Sequence, residues 1–237
     1  MNTRAIIRGG TVALPVILGY IPVGFTFGIL AVNAGFSPIY VGLMSLLVYA
    51  GSGQIIAVGL VAAGAPPLSV ILTTGVVNLR HLLMSAAMVP YLKRWSKTAQ
   101  TCFGLQMTDE TFAIHYTNFA RRTPEQVEVF ATNIFSHTGW CFGGIAGAYL
   151  GQLVGDITRW GLDYALPAMF IALLIPHIEV PKKLLAIIMA GLLSISFTLM
   201  GIDQWSVMLA TLITSVVTAA LPMPATFKKT SQAEENI

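Results

Sequence analysis

Charge is what this chain has least of. Only 10% of its 237 residues are Asp, Glu, Lys or Arg, against roughly a quarter in soluble domains. Residues 9–79 carry no formal charge at all. With 55% apolar residues and a mean hydropathy of +0.75, a water-soluble fold would expose large apolar patches. The composition therefore excludes a soluble domain and points to an integral membrane protein. Cysteine is scarce too. Cys102 and Cys141 stand alone, without disulfide or metal-ligand spacing, and read as small buried hydrophobes. No Cys/His pattern suggests a metal site and no phosphate-cradling loop is present, so neither a metal nor a cofactor is expected. The net charge is +3, with Lys and Arg at the ends of apolar runs rather than in a nucleic-acid patch. The first apolar run is long and no short polar cleavage region follows it, so no cleavable signal peptide is expected.

What is present reads as an all-α, polytopic transmembrane helix bundle. At about 20 residues per span, the chain supplies six to eight membrane segments. They form a single domain over residues 1–226, followed by a polar tail at 227–237. The first span runs from Gly10 to Val32. It holds Pro15 and Pro22, which predict a kink near Pro22, and a Gly24/Gly28 pair that permits close helix contact. The second run, Ile39–Ala63, is broken by glycines at Ala50-Gly51-Ser52-Gly53-Gln54. Non-helical backbone at that depth survives only where protein buries it or where it lines a cavity. The third run is Leu68–Leu92. A less apolar segment follows at Thr101–Phe119, then spans at Val127–Val154, Leu162–Ile178, Leu184–Ile202 and Trp205–Leu221. Pro167 and Pro176 interrupt the span at Leu162–Ile178. Gly139, Gly143, Gly147, Gly151 and Gly155 recur every four residues and form a groove for a neighbouring helix. Gly19-Tyr20 and Gly24 echo Gly139-Trp140 and Gly144 at an offset of 120, which makes residues 10–122 and 127–226 candidate repeats.

Charge placement weighs the topology. If every run crosses, Lys93, Arg94, Lys97 and Arg159 fall outside the cytoplasm. If the broken second run and the segment with Asp109 and Glu110 each return to the side they entered, only Arg159 does. The positive-inside bias favours the second arrangement, and both place the two termini in the cytoplasm.

Three constellations carry candidate chemistry. Arg80 is the first charge after Arg8 and sits in an apolar run with Asn78 and His81. A charge at such depth costs about 2.5–3.5 kcal/mol on insertion scales, so it needs a partner or a use. Thr74, Asn78, His81 and Ser85 share one helix face, while Arg80 points about 160° away from Asn78 and needs its own partner. Asp109 and Glu110 are candidates for that ion pair or for carrying a proton, with His115 on a polar stripe through Thr108, Thr111 and Asn118. On one continuous helix Asp109 falls on the side of Leu105, Phe112, Tyr116 and Phe119. The alternative is an amphipathic cytoplasmic helix with solvated acids. Gly51, Ser52, Gly53 and Gln54 offer free helix-end amides and a side-chain amide to a substrate. His137 and His177 read as structural hydrogen bonders.

In this order, these motifs resemble the AzlC-type branched-chain amino acid permeases, the large subunit of the branched-chain amino acid exporter family. The matching pieces are Pro15 with Gly19-Tyr20-Ile21-Pro22-Val23-Gly24 and Gly28; Ser45 leading to Ala50-Gly51 and Gln54; Asn78-Leu79-Arg80-His81; and Thr108-Asp109-Glu110-Thr111-Phe112-Ala113. The specific motifs cover Leu14 to Ala113. The resemblance implies a secondary transporter rather than an enzyme. It would export valine, leucine, isoleucine or other small apolar amino acids across the bacterial inner membrane, with a small AzlD-type membrane subunit as partner. Lacking a nucleotide motif, such a chain is expected to use the proton gradient, with Asp109, Glu110, His81 or His115 carrying the proton.

Two other classes compete. A passive channel also has a small, polar lining, but a buried Arg with acids suits alternating access better. An intramembrane hydrolase using Ser52 is the weaker reading, because Ala50 stands where that motif needs its first glycine.

Overall fold

The computed structural model describes residues 2–154, 181–202 and 206–221, with isolated positions between 155 and 180. Every regular element among the described residues is helical. The chain divides into two units, residues 1–169 and 170–237.

The first unit is built on α1 (Thr3–Asn33) and α7 (Gln126–Val154). Helix α1 continues through Pro15 and Pro22 although each proline removes a backbone donor; Thr26 Oγ1 bonds the Pro22 carbonyl at 3.0 Å. The two helices run parallel, since residue numbers rise together along the seam. Gly9 lies against Glu128 and Ala131, Gly24 against Trp140 and Gly144, and Gly151 against Ile29. The contact is backbone on backbone. A Cβ on Gly24 would come within 2.9 Å of the Trp140 carbonyl, and one on Gly143 within 2.5 Å of the Ile21 carbonyl. The glycine groove read from the sequence is thus filled by α1, as small-residue spacing allows. Residues 120 apart meet across the seam: the Tyr20 and Trp140 rings lie 5.6 Å apart, edge to face.

Helix α2 (Pro38–Leu47) follows the end of α1 directly. It runs antiparallel to α7, with Gly42 near Ile145 and Tyr49, just beyond α2, stacked on His137 at 3.9 Å. The backbone then breaks at Val48–Ala50, where Tyr49 has φ +38°. Helix α3 (Gly51–Ala62) turns back: Gly53 packs on Asn78, and Val58 joins the core of Phe27, Ala31 and Val41. Helix α4 (Pro67–Met88, with a 3₁₀ turn to Leu92) then runs to the opposite end, where Trp95 stacks on Phe130 at 5.7 Å.

The second hairpin is the first one inverted. Helix α5 (Lys97–Leu105) passes Ser85 at Gly104 and stops at Gln106–Thr108. Helix α6 (Asp109–Arg121) begins beside Tyr20, passes Asn133 at His115, and returns to Glu128 at Arg122. Each broken pair therefore enters and leaves at one end of the unit, α2–α3 at the end where α1 stops and α5–α6 at the end where α1 starts. At that second end Arg8 pairs with Glu125 and Arg122 with Glu128. The basic stretch Lys93–Lys97 shares this end, which is the returning arrangement that charge placement favours.

Three expectations are corrected. The glycines do not form the break in the second run; they form the first turn of α3, and the break lies just upstream. Thr101–Phe119 is not one segment but parts of two helices. Thr108, Thr111 and His115 of its polar stripe are buried, as is Glu110, and of its apolar side Phe119 is buried while Leu105 is 75% and Tyr116 47% exposed. Cys102 is exposed rather than buried.

In the second unit α8 (Pro181–Leu199) and α9 (Ser206–Ala220) pack on each other across a turn with Gly201 at φ +79°. The expected span at Leu162–Ile178 with Pro167, Pro176 and His177, and the tail 227–237, lie outside the described residues, as does Gly155. Helix α1 and the stretch Pro67–Leu92 are each long and apolar enough to cross a membrane. Helix α7 is packed along the length of α1.

Candidate functional site at the meeting of two broken hairpins

The two hairpin tips meet halfway along α1 and α7, and Arg80 of α4 joins them. Its Nη1 lies 2.7 Å from Asp109 Oδ2, the first residue of α6, and its Nη2 donates to Ser52 Oγ of α3 at 2.5 Å. Both charged side chains are about three-quarters buried, at 28% and 27% exposure. Coulomb attraction and a hydrogen bond offset part of the desolvation of each. Asp109 also sits at a helix N-terminus, where the dipole favours negative charge. Asn78 packs against Gly53, so a methyl there would come 2.8 Å from Asn78 Oδ1. Asn78 and Arg80 thus both reach the first turn of α3, although their Cβ atoms diverge. The length of the arginine side chain overrides its starting direction.

Glu110 is 8% exposed, and among the described residues no cation pairs with it. Tyr20 of α1 donates its hydroxyl proton to Glu110 Oε2 at 2.5 Å, and its oxygen lies 2.5 Å from Thr108 Oγ1. Thr108 is the N-cap of α6. It closes a capping box with Thr111, each side chain bonded to the other's backbone amide at 2.9 and 3.4 Å.

The first turn of α3 has no such cap. Gln54, 1% exposed, folds back over it instead. Its Oε1 accepts from the Ala50 amide at 3.3 Å and from Trp140 Nε1 at 3.1 Å. Trp140 is wedged between Phe27 (5.8 Å) and Tyr20 (5.6 Å).

Of the candidate residues, the fold gathers Gly51, Ser52, Gly53, Gln54, Asn78, Arg80, Asp109 and Glu110 at this meeting point. It does not bring His115 there: that ring lies five residues further along α6, bonded to Asn133 Oδ1 at 2.7 Å. His81 is half-buried on α4, and its Nε2 has no partner among the described residues. His137 bonds the Ser45 carbonyl at 3.0 Å. Tyr20 and Trp140 also line this meeting point, and no sequence motif marks them as site residues. An aromatic hydroxyl or N–H in an apolar run is a signal that a partner exists, but it does not say which.

Comparison with known proteins covers the whole of this region. The family model described as AzlC protein matches residues 15–154, which run from the first proline of α1 to the end of α7. The chain is 33% identical over 181 residues to the inner membrane protein YgaZ of Escherichia coli, covering 73% of each chain. It is 30% identical over 198 residues to the branched-chain amino acid transport protein AzlC of Bacillus subtilis, covering 81% of this chain and 76% of that one. A membrane protein of Archaeoglobus fulgidus is 29% identical over 220 residues, 90% of this chain and 94% of its own. No solved structure matches.

Proposed function

We propose that this chain, which belongs to the AzlC protein family, is a secondary transporter that exports branched-chain or other small apolar amino acids across the bacterial inner membrane. The observation that carries the reading is the Arg80–Asp109 ion pair, held where two oppositely inserted hairpins meet. An amino acid is a zwitterion. Between those tips it exchanges one ion pair for two, with its carboxylate on the Arg80 side and its ammonium on Asp109. The site is neutral whether empty or filled, which keeps the desolvation cost similar in both states. Rocking of the two hairpins about this point would open it to either end in turn.

The proton gradient is the proposed driver, with Glu110 as the carrier. A buried carboxyl without a cationic partner is costly when ionised, so its protonation couples naturally to movement. His115, with its separate bond to Asn133, lies away from this centre. The AzlC relative is named for branched-chain amino acid transport, which supports the substrate class. A small membrane subunit of the AzlD type is the proposed partner, and the positive end bearing both Arg8 and Lys93 is the proposed cytoplasmic face.

The test is counterflow of labelled valine in proteoliposomes, with and without the small subunit, with and without a pH gradient. Saturable counterflow supports a carrier; flux that never saturates supports a channel. If no neutral amino acid moves in any condition, the reading fails. A hydrolase built on Ser52 has less support. Its Oγ accepts from a guanidinium, which cannot act as a base.

A further inference from the structure

The first turn of α3 holds a donor with nothing to donate to. Gln54 Oε1 is approached by two groups that only donate, the Ala50 amide and the Trp140 indole N–H. A flipped amide would set N–H against N–H, so chemistry alone fixes the orientation. The Gln54 Nε2 is then the donor left over. It is buried and has no acceptor among the described residues. Leaving such a group unsatisfied carries its full desolvation cost, so a buried orphan amide that neighbours hold in one orientation requires an explanation.

Its surroundings supply one. Ala50, the N-cap of α3, makes no side-chain cap bond, and the first-turn amides of Gly51, Ser52 and Gly53 have no acceptor within the helix. These N–H groups point along the axis, at the positive end of the helix dipole. Arg80 reaches the same turn through Ser52. Gly51 has no side chain to hold the indole off; its Cβ would lie 3.1 Å from Trp140 Cη2.

We infer that the α3 N-terminus is a carboxylate site, with Gln54 Nε2 and the first-turn amides as the ligand's donors and Trp140 as the residue that positions Gln54. The ligand class is an aliphatic carboxylate, free or as the acid group of an α-amino acid. This deepens the transport reading, and rests on it only for the amino acid; the site itself is a separate claim. Arg80 supplies charge to the ligand from one side, while Gln54 supplies direction from the other.

Two substitutions test it. Gln54→Glu keeps an oxygen for Ala50 and Trp140 but puts a second oxygen where the donor was. Trp140→Phe keeps an aromatic ring, though a smaller one, and removes the N–H. The full chain is purified and its thermal midpoint followed with isovalerate, valine and valinamide, and valine counterflow is measured in parallel. The wild type should be stabilised by isovalerate and valine and not by valinamide at the same concentration. Gln54→Glu should weaken both carboxylates by at least about tenfold. Trp140→Phe should raise the valine KM several-fold and leave the maximal rate unchanged, which a merely structural role would not do. Absence of any isovalerate shift in the wild type overturns the site, as does a Gln54→Glu protein that binds isovalerate or counterflows valine like the wild type. If valine counterflow fails while isovalerate binding depends on Gln54, the site stands and the transport reading falls.

Discussion

The two broken hairpins are alike in backbone and opposite in chemistry. Both dip into the bundle, break, and present a helix N-terminus at mid-depth, α3 from one end and α6 from the other. Helix α6 closes its own N-terminus with the Thr108–Thr111 box and loads its first turn with Asp109 and Glu110. Helix α3 begins Gly-Ser-Gly, has no cap and no acid. One tip offers negative charge to a cation; the other offers bare donors to an anion. Two helix N-termini thus differ in chemistry because a handful of side chains decides whether a helix end is satisfied from within. Arg80 bridges the two.

Removing the bridge should have the largest effect. Arg80→Ala leaves Asp109 largely buried and unpaired, and Asp109→Asn does the same to Arg80. Each should lower valine counterflow by two orders of magnitude or more, since breaking a buried pair costs about 3–5 kcal/mol, less where solvent reaches it. Arg80→Asp combined with Asp109→Arg should recover a measurable fraction of the flux that either single reversal abolishes. No recovery would mean that the surroundings, and not the pair alone, fix the polarity. The Ser52 bond and the α6 dipole give a reason to expect recovery well short of complete.

The next effect comes from making α3 resemble α6. Gly51→Asp puts an acid in the first turn of α3, as Asp109 is in α6. It should raise the valine KM at least tenfold beyond Gly51→Asn, which has nearly the same shape and meets the same indole. Equal KM values for the two would show that the ligand does not sense charge at that tip. Glu110→Gln probes the other hairpin. It should keep counterflow within about threefold while accumulation driven by a pH gradient is lost, because exchange needs no net proton movement. Uptake that still follows the gradient in that variant would remove Glu110 from the coupling.

Much of this contrast can be read in the sequence. Scarcity of charge singles out Arg80, Asp109 and Glu110, and Gly51-Ser52-Gly53 marks a helix that cannot run through. What the sequence leaves open is position. The break at Val48–Ala50 contains no glycine; it is held by Tyr49 stacked on His137, a contact between residues far apart in the chain. The break at Gln106–Thr108 has neither glycine nor proline, and its one local sign is the Thr-x-x-Thr cap that follows. Periodicity places Thr108, Thr111 and His115 on one face but is silent on which face meets lipid. Partners are the least legible: that Asp109 takes Arg80 and Glu110 takes Tyr20 follows from which way a short helix is turned, and one residue of rotation would exchange them. Trp140 is invisible as a site residue because a tryptophan in a glycine-rich span reads first as packing.

The smallest effect should come from the cap itself. Thr108→Ala removes the side chain that accepts from the Thr111 amide and leaves Tyr20 its bond to Glu110. Loss of an N-cap costs about 1 kcal/mol, which for a chain of this size is a fall of roughly 2–4 °C in thermal midpoint. The valine KM should stay within about twofold, because in the proposed site the α6 end meets the substrate through Asp109 and not through its amides. A cap-deleted α6 that gains affinity for isovalerate would show that its amides had become a second anion site. The closing box on one hairpin would then be what makes the two tips different.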